Sequence, residues 1–346
     1  MGNPRILIVK IGATGDVVMT LPVLTALRKK YHNPEITWIC GKLAAPVLKK
    51  IPFDINIIEV DEYKLFGKSK FNALVELVRI YLNLPSLFFT GKYIFYKHFA
   101  YRFAFSLVFA KKTKHLSPNN NRGIPVLGRS MPFEFVRLIT GSDDSNLPAP
   151  ALPEVNLSDE KNIRAKFGLT GNYIVLTPAG AKNFMREGFL RGWEVQNYRE
   201  LAVKLISEGF EVVITGSEDD RWVSEEFSGV NIINLTGKTA LDELIDVFAY
   251  ADLVVAHDSG PLHLAQLSGA KVVALFGPTN PKELTHINFK GVKPIYISGG
   301  ENLFCSPCFN QSSFPNCTNN LCMKNIQVKE VFNLVKQFVN KDLYEK

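Results

Sequence analysis

The sequence lacks several features that would have indicated other protein classes. None of its 346 residues lies in an apolar run near the roughly 18 residues that cross a membrane. Its first apolar stretch is too short for a secretion signal and is interrupted by Lys10 and Asp16, which predicts a cytoplasmic protein. It contains no P-loop and no GxGxxG dinucleotide pattern. With 46% hydrophobic and 21% charged residues, it is not disordered, collagenous or coiled-coil overall.

One long segment, 77–133, contains no acidic residue. It holds nine Lys and Arg, whereas the whole chain has a formal net charge of only +7, so this segment carries the entire positive excess. It is also rich in aromatic residues, and this mixture favours an interfacial helix beside anionic lipid headgroups. The alternative is a helical pair with a core of aromatic side chains and with its cations in water. No nucleic-acid-binding motif accompanies the charge, so a nucleic-acid partner is not expected.

Short apolar runs alternate with helical patterns along the chain, which predicts an α/β fold. A proline-rich linker at 146–159 separates two such series. We therefore expect a domain at 1–155, a second at 156–326, and a final helix within 327–346 that can pack back on the first domain. The predicted strands are Arg5–Ile11, Ile36–Cys40, Ile55–Val60, Tyr173–Thr177, Glu211–Thr215, Asn231–Asn234, Leu253–Ala256 and Lys271–Phe276.

Three segments that follow predicted strands have the composition of a ligand site, since ligands of open parallel sheets bind at the carboxyl ends of strands. The first is the turn Gly12–Asp16, where Asp16 either serves a ligand or only caps the next helix. The second is His257–His263, whose helix start suits a phosphate. Its alternative is a capped structural helix with a surface histidine. The third is Phe276–Pro281, a loop of small residues.

Two of these motifs resemble glycosyltransferase family nine, the ADP-heptose:lipopolysaccharide heptosyltransferases. They are VKIGATGDVVMTLPVLTALRKKY near the start and HDSGPLHLAQLSGAKVVALFGPTNP near residue 260. The resemblance covers roughly 5–60 and 172–326 and implies the GT-B architecture, in which two Rossmann-like doubly wound domains face a cleft. The N-terminal domain would bind the acceptor and the C-terminal domain the nucleotide sugar. The segment 77–133 matches no part of the family pattern.

The resemblance also implies roles for individual residues. Asp16 matches the family's general base, in a loop that contacts the acceptor or a phosphate through Gly12, Thr14 and Gly15. A carboxylate opposite the departing nucleotide suits inversion by single displacement. The family's donor-binding motif matches four residues that would hold the diphosphate and stabilise the leaving group: Asp258, Ser259, Gly260 and His263.

Further donor contacts are carried over with one departure from the family pattern. Many members have a Lys-Arg/His-Trp-Pro segment, in which the lysine contacts the donor. Here Trp193 matches, but Arg191 takes the lysine position and the proline is missing. An arginine can bind a diphosphate through two donors but does not reproduce a lysine point charge. The loop from Thr177 to Gly180 and the acidic Glu218 also resemble the family's donor contacts.

Four of the five cysteines are clustered near the C-terminus. Their spacing in a cytoplasmic protein favours a structural zinc or iron site, while free thiols and disulfides are alternatives. Cys40 is expected to be a buried small apolar residue. The clustered cysteines are Cys305, Cys308, Cys317 and Cys322.

The resemblance implies an inverting transferase that needs no cofactor for catalysis. It would move a heptose from ADP-heptose to a lipopolysaccharide inner-core acceptor on the inner face of the cytoplasmic membrane. One alternative is a related transferase that uses another nucleotide sugar for O-antigen or capsule. The other is a non-catalytic protein that binds anionic membranes through 77–133.

Overall fold

The computed structural model describes residues 5–31, 33–83, 93–95, 115–116, 128–140, 150–180, 182–183, 186–187, 189–309 and 316–344. The chain divides into two compact units, Met1–Pro153 and Glu154–Lys346, close to the boundary expected from the linker. Most of the basic segment 77–133 lies outside the described residues.

The first unit is built on a parallel sheet with the strand order β3-β2-β1-β4-β5. Its strands are β1 (Arg5–Val9), β2 (Glu35–Gly41), β3 (Ile55–Val60), β4 (Tyr93–Phe95) and β5 (His115–Leu116). Its helices are α1 (Thr14–Thr20), α2 (Pro22–Lys30), α3 (Ala45–Lys49), α4 (Glu62–Phe66), α5 (Lys70–Asn83) and α6 (Met131–Thr140).

The second unit has a larger parallel sheet with the order β10-β9-β6-β11-β12-β13. Its strands are β6 (Tyr173–Thr177), β9 (Glu211–Ile214), β10 (Ile233–Asn234), β11 (Leu253–His257), β12 (Val272–Phe276) and β13 (Ile295–Ser298), beside the small antiparallel pair β7 (Lys182–Asn183) and β8 (Arg186–Glu187). Its helices are α7 (Glu160–Phe167), α8 (Val195–Ser207), α9 (Arg221–Glu226), α10 (Leu241–Ala249), α11 (Gly260–Ser268), α12 (Pro281–Leu284), α13 (Leu321–Lys324) and α14 (Val328–Tyr344).

The central strands are continuous apolar runs because both faces of a parallel sheet are covered by helices. All residues of β6, β11 and β12 are buried. Each sheet begins with its first strand in the middle and grows outward in both directions, which is the Rossmann order. This confirms the predicted pair of Rossmann-like units and places the two switch points beside β1 and between β6 and β11.

The last helix packs within the second unit. α14 contacts α8, β11 and β12, and its residues Val331 and Val335 are buried in the core that also contains Leu201 and Leu205. The expected packing of this helix on the first domain stays a prediction. Within the described part of the chain, no helix has both the length and the apolar character needed to cross a membrane.

Candidate active site

The glycine turn after β1 places a carboxylate in the first turn of a helix. Ala13, with φ 42°, is the N-cap of α1, and Asp16 lies inside the helix rather than at its cap. The interpretation of Asp16 as a helix cap is therefore wrong. The Nζ of Lys10 donates a hydrogen bond to Oδ2 of Asp16 at 2.7 Å, and the Lys10 side chain is only 5% exposed while that of Asp16 is 23% exposed.

Both residues stand where β1 ends, at the switch point of the first sheet. Gly12, Thr14 and Gly15 form the same turn, so the structure brings together the loop residues that the sequence pointed to. Because a buried ammonium favours the ionised carboxylate beside it, this turn presents a negatively charged oxygen at the carboxyl end of a strand. Such an oxygen can accept a proton from a hydroxyl group.

At the switch point of the second sheet, the loops after β6 and β11 are in contact. These strands are parallel neighbours, with Thr177 paired to Ala256. Gly180 has φ +96°, and a Cβ there would lie 3.0 Å from Cδ of Pro261 and 3.6 Å from Oγ of Ser259. Only glycine suits both this backbone conformation and this close approach. The loop after β6 is therefore packed directly onto the first turn of α11.

The start of α11 has the arrangement of an anion site. Ser259 is the N-cap, but its hydroxyl donates to the carbonyl of His257 at 3.2 Å and no described side chain caps the helix. Pro261 occupies the first turn, where its missing N–H removes no helical hydrogen bond. The remaining backbone N–H groups and the helix dipole favour a negative ligand, for which a diphosphate has the right charge.

Asp258 is the centre of a buried polar network beside this helix start. Its Oδ2 accepts a hydrogen bond from the hydroxyl of Thr279 at 2.8 Å and one from Nη1 of Arg191 at 3.4 Å. Its Oδ1 lies 3.9 Å from Nε2 of His263, and among the described residues it has no hydrogen-bond partner. The structure thus brings together Arg191, Asp258 and His263, three residues for which the family resemblance implied a donor contact.

Three findings here go beyond the sequence. His263 is 4% exposed, so the alternative of a surface histidine is wrong. The ring of His263 stacks on that of His286, with centroids 5.3 Å apart, and neither spacing nor a motif pointed to His286. Thr279 belongs to the third segment that the sequence singled out, but its bond to Asp258 follows only from the pairing of β11 with β12.

His257, the last residue of β11, directly precedes Asp258 and is buried beside the polar network. Its side chain is fully buried, and burial together with the nearby Arg191 lowers the pKa of the imidazole to about 4. Nδ1 of the ring shares a hydrogen bond with the hydroxyl of Tyr198, at 3.1 Å. Tyr198 in turn packs edge-on against Trp193, whose indole N–H donates to the carbonyl of Ile326. These contacts hold the last residue of β11 in place.

Glu218 lies at the edge of the same sheet end. It follows β9, its side chain is mostly exposed, and it forms an ion pair with Arg221. A Cβ at Gly216, two residues earlier, would lie 3.4 Å from Cβ of Ala179, so the loops after β9 and β6 are adjacent. The position suits a contact with the outer part of a ligand whose anionic part lies at α11.

For the four clustered cysteines, the expected metal site stays a prediction. In the described ranges, which omit 310–315, no three Cys, His, Asp or Glu side chains are arranged to hold a metal ion. Cys305 and Cys317 are exposed, whereas Cys322 is buried with Met323. All five cysteines are free thiols, so no disulfide links them either. Cys40 is buried as expected, and burial raises the pKa of its thiol to about 12.

The cysteine segment packs onto the loop after β12. The backbone N–H of Cys308 donates to the carbonyl of Pro278 at 2.9 Å, and the hydroxyl of Ser306 donates to that of Gly277 at 2.8 Å. A Cβ at Gly277 would lie 2.5 Å from Sδ of Met323 and 3.0 Å from Sγ of Cys322. This tail therefore holds the loop that carries Thr279.

Comparisons with known proteins show the family of the chain. Residues 109–318, more than half of the chain, match the model of glycosyltransferase family 9 (heptosyltransferase). The chain is 26% identical to lipooligosaccharide heptosyltransferase 2 of Haemophilus influenzae, over 80% of this chain and 84% of that protein. It is 23% identical to the lipopolysaccharide core heptosyltransferase OpsX of the same species, over 95% of each.

Solved structures show the same fold. The glycosyltransferase family 9 protein of Veillonella parvula superposes with a TM-score of 0.74 and 18% identity, covering 98% of this chain and 97% of that one. The E. coli ADP-heptose lps heptosyltransferase II superposes with a TM-score of 0.69 and 19% identity, covering 98% of this chain and 99% of that one. The fold is therefore that of the GT-B transferases, and the chain belongs to glycosyltransferase family 9 and is a glycosyltransferase.

Proposed function

We propose that this enzyme transfers a heptose from ADP-heptose to a lipopolysaccharide inner-core acceptor, with inversion at the anomeric carbon and Asp16 as general base. The observation that carries the proposal is the polar assembly at the switch point between β6 and β11. There Gly180 packs against Pro261 at the start of α11, and Arg191 contacts Asp258 beside it. The names of the relatives, which are lipopolysaccharide and lipooligosaccharide heptosyltransferases, support heptose as the sugar.

The donor is held through its diphosphate by the start of α11 and by Arg191. Ser259 and Gly260 supply the backbone N–H groups, and His263, one turn later, faces the same charge. Thr177, at the end of β6, and Gly180, in the loop that follows, line the donor on the neighbouring side. Glu218 contacts the nucleoside end, since its loop is adjacent to the loop after β6.

The reaction is a single displacement in which no metal or cofactor is assigned a step. The acceptor oxygen forms a bond to the anomeric carbon while the bond from that carbon to the diphosphate oxygen breaks. The hydroxyl proton passes to the carboxylate of Asp16, which Lys10 keeps ionised and oriented. The electron pair leaves with ADP, whose growing negative charge is stabilised by the helix start and by the guanidinium of Arg191.

The acceptor is a lipid-linked saccharide, and the first unit contacts an anionic inner-leaflet membrane surface. In support, α5 exposes an apolar stripe at helical spacing, with lysines just before it at 64, 68 and 70. An apolar stripe beside cations suits insertion between anionic headgroups. Lys111, Lys112 and Lys114, from the basic segment, lie outside the described residues. The exposed apolar residues of the stripe are Phe71, Leu74, Val75, Val78 and Leu82.

The donor assignment is tested by thermal shift and by ADP release with ADP-heptose, ADP-glucose, GDP-sugars and UDP-sugars. A specific ligand raises the midpoint of unfolding because it binds only the native state. We expect the largest shift and the fastest turnover with ADP-heptose. Asp16→Asn should retain the shift but lose transfer by about two to four orders of magnitude. Asp54→Asn, an exposed carboxylate in the same unit, is the control. A larger thermal shift with a GDP- or UDP-sugar would contradict ADP-heptose as the donor.

The membrane assignment is tested by co-sedimentation with vesicles that contain or lack an anionic phospholipid. The double variant Phe71→Ser/Leu82→Ser should bind the anionic vesicles more weakly than wild type does. The triple variant Lys111→Gln/Lys112→Gln/Lys114→Gln should also bind them more weakly. Val203→Ser removes an exposed apolar residue from the second unit and serves as the control. Unchanged binding of both multiple variants would overturn this part of the proposal.

A further inference from the structure

Two buried histidines meet behind the donor-side carboxylate. Nε2 of His286 lies 3.3 Å from Nδ1 of His263, and the two rings are stacked with an interplanar angle of 23°. The opposite nitrogen of His263, Nε2, faces Oδ1 of Asp258 at 3.9 Å. Both rings are at most 4% exposed, so water does not replace these contacts.

The backbone of His286 is fixed as firmly as its ring. Its N–H donates to Oε1 of Gln266 at 2.6 Å, and Nε2 of Gln266 donates to the carbonyl of Leu262, so the amide connects His286 to the helix that carries His263. Gln266 itself is buried. His286, two residues after α12, is thus held against α11 by one ring contact and one backbone hydrogen bond.

The contact between the rings requires one shared proton. Burial and the neighbouring His263 lower the pKa of His286 well below its usual range, so the His286 ring is neutral and carries one N–H. In the described part of the chain, Nδ1 of His286 has no hydrogen-bond partner. A proton on Nδ1 would leave a buried donor unpaired, whereas a proton on Nε2 is donated to His263.

We propose that His286 is a positioning residue that fixes the tautomer of His263. Nε2–H of His286 donates to Nδ1 of His263, so the proton of a neutral His263 lies on Nε2, toward Asp258 and the start of α11. His263 therefore presents a hydrogen-bond donor to an anionic ligand there and is not available as a proton acceptor. The benefit for catalysis rests on the proposed function, whereas the tautomer itself does not.

The tautomer is measured in the ligand-free protein by long-range ¹H–¹⁵N correlation with ¹⁵N-labelled histidine, and the His263→Asn variant identifies the signals of His263. In wild type, Nδ1 of His263 should have the shift of a bare ring nitrogen and Nε2 that of a protonated one. His286→Phe keeps a ring but removes the donor, so the Nδ1–H form of His263 should become populated. His286→Gln returns an N–H donor near the same place and should restore the wild-type pattern.

Kinetics provide the second readout. His286→Phe should lower kcat/KM for ADP-heptose by roughly tenfold, and His286→Gln should recover most of that loss. A wild-type His263 protonated on Nδ1, or a tautomer that does not change in His286→Phe, would overturn the proposal. The spectrum needs no substrate, so it decides the tautomer even for a protein that does not turn over ADP-heptose. A lack of turnover with ADP-heptose would contradict only the proposed function.

Discussion

Nζ of Lys10 lies 2.7 Å from Oδ2 of Asp16, and the lysine is the more buried member of the pair. Asp16→Asn therefore removes a proton acceptor and also a counter-charge of a buried ammonium. We expect this variant to lose about 1–3 kcal/mol of unfolding free energy, in addition to its activity. Chemical denaturation measures the stability, and ADP release measures the activity.

The double variant Lys10→Met/Asp16→Asn separates the two effects. Replacing a buried ion pair with apolar or neutral groups is often close to neutral for stability, so the double variant should be more stable than Asp16→Asn. It should remain inactive, because the proposed general base is still missing. A double variant that regains activity would exclude Asp16 as the base.

Gly180→Ala should disturb the donor site through its backbone. The residue has φ +96°, and its new Cβ would lie 3.0 Å from Cδ of Pro261. We expect a loss of about 1–3 kcal/mol in unfolding free energy and a clearly smaller thermal shift with the donor. Gly171→Ala is the control, since a Cβ there meets nothing within 4 Å. Equal behaviour of the two variants would contradict the close packing described here.

Arg191 should act mainly as a cation and secondarily through its fork of donors. Arg191→Lys should keep a substantial part of kcat/KM, whereas Arg191→Met should lose about 10²-fold or more, because in the proposed mechanism the charge on the departing diphosphate is then less well stabilised. Steady-state kinetics over a range of donor concentrations distinguish the two variants. Glu225→Gln, an exposed residue of the same unit, is the control. Equal loss in both variants would show that charge alone does not explain the role of Arg191.

Stability should fall in mild acid because of a buried histidine. The pKa of His257 is lowered to about 4, while an unfolded chain has a histidine pKa of about 6.5. Between these values the unfolded state binds more protons, so the unfolding free energy rises with pH by at most about 1.4 kcal/mol per unit for this residue. His286 acts in the same direction. His257→Asn should flatten the profile, measured by urea denaturation from pH 4 to 7, and an unchanged slope would contradict this assignment.

The free thiols should react in a fixed order. Backbone N–H groups of Asn320 and Asn319 lower the pKa of the exposed Cys317 thiol, whereas burial raises the pKa of Cys308, Cys322 and Cys40. Since the thiolate is the nucleophile, iodoacetamide should modify Cys317 before these three. Mass spectrometry of peptides after timed labelling measures the order. Early modification of Cys40 would contradict its burial.

The central strands of both sheets could be predicted from sequence, because a continuous apolar run bounded by turns is compatible with few structures other than a buried strand. β3 and β6 have the predicted bounds. α7 has a weak apolar pattern after the proline-rich linker, because only Ile163 and Phe167 of its eight residues are buried. Pro22 cannot donate a helical hydrogen bond, and it begins α2.

The site was predictable where a motif is contiguous and not where it depends on strand order. The sequence places Asp258, Gly260 and His263 on one helix start, and resemblance to the family adds Arg191. It does not show that β12 lies beside β11, and that neighbourhood brings Thr279 and His286 to Asp258 and His263. Cysteine spacing predicts a metal site, which stays a prediction, and spacing alone does not show that Cys322 is buried while Cys305 is exposed.

The close approach of Met323 and Cys322 to Gly277 links two distant parts of the chain. A larger residue at 277 would displace the tail, and a displaced tail would release the loop that carries Thr279. These segments are therefore expected to change together during evolution rather than one at a time. A chimera between two members of the family should keep activity only when the loop after β12 and the C-terminal tail come from the same parent.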